Sequence, residues 1–81
     1  MNEVEIKISD FFVQREGIGV LQNIKEIDFI ESGIIDSLDL VSLAVHIEKN
    51  FKIKLDLTSP EVFKSVRRFN SLVSLVQSYL K

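Results

Sequence analysis

The sequence has no cysteine, so neither disulfides nor thiolate metal sites can form. That absence is compatible with a reducing compartment. It has one histidine, His46, which with no cysteine cannot build a structural zinc site. The carboxylates do not follow the spacing of a calcium-binding loop either. No apolar run approaches the ~20 residues that span a bilayer. Met1 to Lys7 lacks the apolar core of a secretion signal, and the expectation is a soluble cytoplasmic protein. There is no excess of positive charge: 10 Lys and Arg stand against 12 Asp and Glu, with net charge -2 and pI near 5.3. A generic nucleic-acid binder is therefore not expected. No internal repeat or low-complexity stretch occurs.

What is present fits one small domain spanning residues 1–81. The apolar share of 46% is ordinary for a globular chain, and 9% aromatic content argues against disorder. Charge is unevenly placed. From Asp28 to Glu48 the acids are Asp28, Glu31, Asp36, Asp39 and Glu48, with no Lys or Arg among them. The bases gather elsewhere, at Lys49, Lys52, Lys54, Lys64, Arg67 and Arg68. An acidic central segment suits a partner surface rich in Arg and Lys, and equally a solvated face.

Val4, Ile8, Phe11 and Phe12 lie at i, i+4, i+7 and i+8, which predicts a helix over 3–15. Ile6 and Ile8 also fit strand alternation, so the start of this element stays open. Gly17 and Gly19 break the pattern. Residues 17–36 read as a long packed connection with a short helical turn and apolar anchors at Ile18, Leu21, Ile24, Ile27, Phe29 and Ile30. Residues 37–50 are the clearest helix, with Asp36 as N-cap and Asp39 adding charge favoured by the dipole. One stripe is Leu38, Val41, Ala44 and Val45; another is Leu40, Leu43, Ile47 and Phe51. Only Asp39, Ser42, His46 and Lys49 form a polar strip, which predicts the central helix of a bundle. Residues 51–58 alternate, but a lone short strand has no partner, and an extended linker is expected. Ser59-Pro60-Glu61 starts a short helix that ends near Lys64. Ser65 is expected to cap a last helix whose core face is Val66, Phe69, Leu72, Val73, Val76 and Leu80, with Lys81 at its C-terminal end.

The stretch Gly33-Ile34-Ile35-Asp36-Ser37-Leu38-Asp39-Leu40-Val41 resembles the attachment site of acyl carrier proteins, whose core is Asp-Ser-Leu at the start of the second helix. The likeness covers nearly the whole chain. Phe29 precedes the motif at a familiar distance, Glu48-Lys49-Asn50-Phe51 looks like the charged end of the second helix, and Pro60 to Val66 looks like the short third helix leading into the fourth. The resemblance implies an all-α four-helix bundle with three longer helices, a short third helix and a long first loop. It implies a carrier rather than an enzyme. Its Ser37 would receive 4'-phosphopantetheine from a phosphopantetheinyl transferase and hold acyl groups as thioesters for fatty acid, polyketide or related biosynthesis. Asp36, Leu38, Asp39 and Glu48 would meet partner enzymes bearing basic docking patches. Phe29, Leu43, Val45, Ile47, Phe63 and Val66 could line a cleft for the acyl chain, or simply form core. A monomer is expected.

The chain departs from carriers of fatty acid synthesis at Ser42, where an acid is common, and at Lys49, Lys52 and Lys54. These differences point toward specialised carriers, including aminoacyl carriers of the D-alanyl type. A hydrolase is disfavoured: His46 lies about 13 Å along the helix from Ser37 and half a rotation round it, and no nucleophile elbow is present. His46 is expected to be a solvated residue of the polar strip. The remaining rival is an unmodified helical adaptor that binds partners through its acidic face.

Overall fold

The computed structural model describes residues 1–80, and four α-helices organise them: α1 Glu3–Glu16, α2 Ser37–Phe51, α3 Pro60–Ser65 and α4 Phe69–Tyr79. The all-α bundle expected from the sequence is the one observed, with its short third helix and long first connection. No strand occurs among the described residues, which decides for helix over strand at Ile6–Ile8.

Helix α1 begins at a reciprocal cap. Asn2 Oδ1 accepts from the Glu5 N–H at 2.8 Å, and Glu5 Oε1 accepts from the Asn2 N–H at 3.0 Å. Two first-turn donors are thereby satisfied at once. The helix stops at Gly17, whose φ of 89° lies in the region where a side chain would be strained. Its N–H closes the last turn on the Val13 carbonyl.

The connection from 17 to 36 opens with a 3-10 turn, Ile18–Gln22, and then packs down through Val20, Ile24, Phe29 and Ile35. Asp28 organises its second half. One carboxylate oxygen accepts from the N–H groups of Ile30 and Glu31, while the other pairs with Arg67 at 3.2 Å. The Phe29 N–H donates to the Arg67 carbonyl at 2.7 Å, and the Ile35 N–H donates to the Phe29 carbonyl at 2.9 Å. This stitching holds the end of the loop against the chain that enters α4. Ile18 is not an anchor as expected; it is 75% exposed, on the outer side of the 3-10 turn.

The core is centred on Phe12, Phe29 and Phe69, all fully buried. Phe12 and Phe29 stack with centroids 4.3 Å apart, tying α1 to the loop. Helix α2 contributes Leu40, Leu43, Ala44 and Ile47, and α4 contributes Phe69, Leu72, Val73 and Val76. No buried side-chain polar atom among the described residues lacks a partner.

Further expectations are also overturned. Ser65 does not cap the last helix. It closes α3, its hydroxyl donating to the Glu61 carbonyl one turn back at 2.9 Å. Arg68 is extended, as its bridge to Asp28 requires, so α4 restarts only at Phe69. Val66 is buried as foreseen but lies between helices, and Leu80 is 47% exposed. The second correction is to α2, where Leu38, Val41 and Val45 face solvent, so this helix is half-sheathed rather than central. Third, His46 is not simply solvated: it is half-buried and its Nε2 lies 2.7 Å from the Lys7 carbonyl of α1. The linker expected over 51–58 starts one residue later, because Phe51 still closes α2; Lys52 turns left-handed, 53–56 carry no helix or strand, 57–58 turn, and Leu55 is buried. The expected place of Lys81 falls outside the described residues.

Candidate functional site

The start of α2 is held by a second reciprocal cap. Asp36 Oδ1 accepts from the Asp39 N–H at 2.9 Å, and Asp39 Oδ2 accepts from the Asp36 N–H at 3.3 Å. Asp36 is extended and sets the direction in which the loop enters the helix. Its carboxyl is held below the usual aspartate range, chiefly by the Asp39 N–H. Asp39 has a further task, since its other oxygen pairs with Arg15 of α1. Arg15 lies over the Phe11 ring at 5.4 Å, which fixes the guanidinium. The site is therefore braced from two helices.

Ser37 is the first residue of α2 and is exposed. Several other hydroxyls donate to nearby carbonyls, as at Ser9, Ser65, Ser71 and Ser78, whereas those of Ser42, Ser59 and Ser74 do not. The Ser37 hydroxyl has no such bond among the described residues. It opens beside an apolar hollow of about 120 Å³ lined by Ile30, Asp36, Ser37, Leu40 and Phe63. Gly33, with φ 82°, makes the turn that delivers the chain to this point.

These features fit a covalently attached phosphodiester arm. The hydroxyl is reachable, uncommitted and rigidly placed, and an apolar surface lies next to it. Asp36 already takes the Asp39 N–H, so that donor of the first turn is not free for a phosphate. The Arg15 cation on the Asp39 side offsets part of the local negative charge.

Among the residues expected to meet partners, Asp36, Leu38 and Asp39 flank Ser37 directly. Leu38 is 78% exposed and continues into exposed Val41 and Val45 on the same helix. Glu48 lies at the far end of α2, about 16 Å along the axis. Its Oε2 accepts from the Leu55 N–H at 2.9 Å, so this carboxylate fastens the linker to α2. The acidic segment is also less bare than the sequence implies. Asp28 is neutralised by Arg67 and Asp39 by Arg15, while Glu31 remains exposed.

The suggested cleft residues do not come together. Phe29, Leu43, Ile47 and Val66 are buried core, whereas Val45 and Phe63 are each 42% exposed. Ile30 and Leu40 line the hollow beside Ser37 in their place. Leu38, Val41 and Val45, at i, i+3 and i+7, form an open apolar stripe on α2 instead of core. The signal for it lay in excess: an 81-residue chain cannot bury two full apolar stripes of one helix.

No helix among the described residues is long and apolar enough to cross a membrane, and no group of His, Cys, Asp or Glu there could hold a metal ion. Neither the curated proteins nor the solved structures contain a match to the chain. A family model described as the phosphopantetheine attachment site matches residues 7–76, which takes in most of α1, all of α2 and α3, and most of α4. The chain belongs to the phosphopantetheine attachment site family, a carrier rather than an enzyme, whose prosthetic group is 4'-phosphopantetheine held covalently on a serine.

Proposed function

We propose that Ser37 is the attachment residue and that all 81 residues form one monomeric carrier domain working in the cytoplasm. In this reading a phosphopantetheinyl transferase joins the arm to the Ser37 hydroxyl as a phosphodiester. When bound, the arm supplies a terminal thiol on which acyl intermediates ride as thioesters, for fatty acid, polyketide or related biosynthesis.

The observation that carries the assignment is the state of one hydroxyl. Ser37 is exposed, first in α2, and without an internal hydrogen bond among the described residues. Exposed Ser42 and Ser74 sit in helix interiors, away from the helix start that the family motif occupies. The Asp36–Asp39 cap and the Arg15 brace hold the backbone at Ser37 still, which reduces the ordering cost when a modifying enzyme docks.

Partner enzymes would read the surface around that residue. Leu38, Val41 and Val45 supply apolar contact, with Phe63 of α3 beside the Ser37 hollow. Asp36 and Asp39 supply charge complementary to basic docking patches while also shaping the site; Glu48, bonded to the Leu55 N–H and set among lysines, contributes less. Mutual burial of this stripe gains roughly 25 cal/mol per Å² of apolar area. The nearby charges speed and orient the encounter.

The test is intact mass measurement after incubation with a phosphopantetheinyl transferase and coenzyme A. The mass should rise by one phosphopantetheinyl group, and Ser37→Ala should abolish the rise. An unchanged mass with several transferases of differing specificity would favour an adaptor that binds partners without modification.

A further inference from the structure

The C-terminal end of α2 is chemically opposite to its start. Lys49, Lys52 and Lys54 are exposed and none forms an ion pair among the described residues. With Val45, Glu48 and Ile53 they line a shallow cleft of about 420 Å³. Its floor is apolar, formed by half-exposed Val45 and half-buried Ile53. The only carboxylate there, Glu48, is already bonded to the Leu55 N–H.

A second observation sets this patch apart from an ordinary solvated one. Lys52 is the only non-glycine residue with positive φ among the described residues, at φ 55° and ψ 43°. Glycine or asparagine is the relaxed choice where a helix ends this way. The strained residue is nevertheless a lysine, and it is firmly held. Its N–H donates to the Glu48 carbonyl at 2.8 Å, while the Glu48 side chain clamps the linker three residues further on. Local strain of this kind is retained where the side chain it presents has a use. A helix C-terminus does favour a cation, and Lys49 alone satisfies that preference. It does not explain Lys52 or Lys54.

We infer that this cleft is a second docking surface, and that its occupant is a protein segment carrying clustered carboxylates around one apolar side chain. The carboxylates pair with Lys49, Lys52 and Lys54, and the apolar side chain rests on Val45 and Ile53. An anionic membrane fits less well, because the chain is negative overall and the adjoining stretch from Asp28 to Glu48 holds no Lys or Arg. A partner that contacts both ends of α2 must then present basic groups toward Asp36 and acidic groups toward Lys52. That polarity fixes the direction in which it lies along the helix.

The test uses the unmodified full chain, labelled for amide NMR, so its failure leaves the Ser37 assignment untouched. The probe is a short peptide of glutamates flanking one phenylalanine. Saturable shifts are expected at Val45, Lys49, Lys52, Ile53 and Lys54, weakening steeply as salt rises. Replacing the phenylalanine of the peptide by alanine, or combining Lys49→Gln with Lys54→Gln, should each weaken binding by roughly tenfold. Lys52→Gly separates recognition from structure: it should raise Tm by a few degrees while weakening the peptide. Shifts of equal size at Lys64, Arg67 and Arg68, no saturation, or full affinity in the Lys52→Gly protein would overturn the proposal. So would binding to phosphatidylglycerol vesicles without binding to the peptide.

Discussion

Removing the Phe29 ring should damage this protein more than any change of similar size elsewhere in the first connection. Phe29 is fully buried, its ring stacks on Phe12 at 4.3 Å, and its backbone joins the loop both to Arg67 and to Ile35 just before the Ser37 helix. Phe29→Ala loses the transfer energy of the ring and leaves a cavity between α1 and the loop. Together these cost about 3–5 kcal/mol. Total stability for a chain of this length is on the order of 4–12 kcal/mol, so the loss is a large share of it. Each 1 kcal/mol moves Tm by about 4–8 °C at this size, which sets the expected fall at not less than about 12 °C. Ile18→Ala is the matched control. Ile18 is 75% exposed, and its truncation should stay within about 0.5 kcal/mol. Urea unfolding followed by far-ultraviolet circular dichroism measures both, with comparable m-values confirming two-state behaviour. A Phe29→Ala cost below about 1 kcal/mol, or an equal cost at Ile18, would refute the packing argument.

Lys52→Gly should stabilise the protein by about 0.5–1 kcal/mol, because glycine adopts positive φ without the clash a side chain meets; a lower urea midpoint would contradict the strain reading. His46→Leu keeps most of the packing against Phe11 but removes the bond to the Lys7 carbonyl, and should cost about 0.5–1.5 kcal/mol in the same assay. Acid sensitivity has a definite sign. Asp28 is held below the usual aspartate range, first by the Glu31 N–H and then by Arg67. A carboxyl lowered by folding stabilises the fold above its unfolded value, and that contribution disappears as pH falls through the folded one. Melting temperature should therefore decline below the ordinary aspartate range, less steeply in Asp28→Asn; identical slopes would show that the Asp28 turn contributes nothing.

Much of the architecture was legible because local rules and packing agreed. The period of α1, the Asp36 cap, Pro60 at the first position of α3 and the helical period of α4 each point to the element that forms. The failures share a cause, which is that sequence pattern reports apolarity and not which neighbour covers it. Two stripes on α2 look alike on paper, yet the fold covers Leu40, Leu43 and Ile47 of one and only Ala44 of the other. Ile18 and Phe29 look equivalent as anchors, and only the stitching by Asp28 and Arg67 separates them. That pair lies 39 residues apart, beyond any local rule. It also draws Arg68 into extended backbone, which is why Ser65 ends α3 instead of opening α4.

The site divides in the same way. Asp36-Ser37-Leu38 is readable as a motif, whereas the reciprocal use of Asp39, its Arg15 partner and the tie from Glu48 to Leu55 need three-dimensional contacts. Acidic residues that look available for docking are partly occupied within the fold. The unburied stripe of Leu38, Val41 and Val45 becomes visible only once the core has taken up its neighbours.

The most direct test is to locate the modification rather than merely detect it. Protein treated with transferase and coenzyme A is digested, and the adduct is placed by fragment-ion mass spectrometry. The added group is expected on Ser37 in a single position, with Ser32 and Ser42 unmodified. An adduct mapped to any other serine would contradict the role assigned to the start of α2.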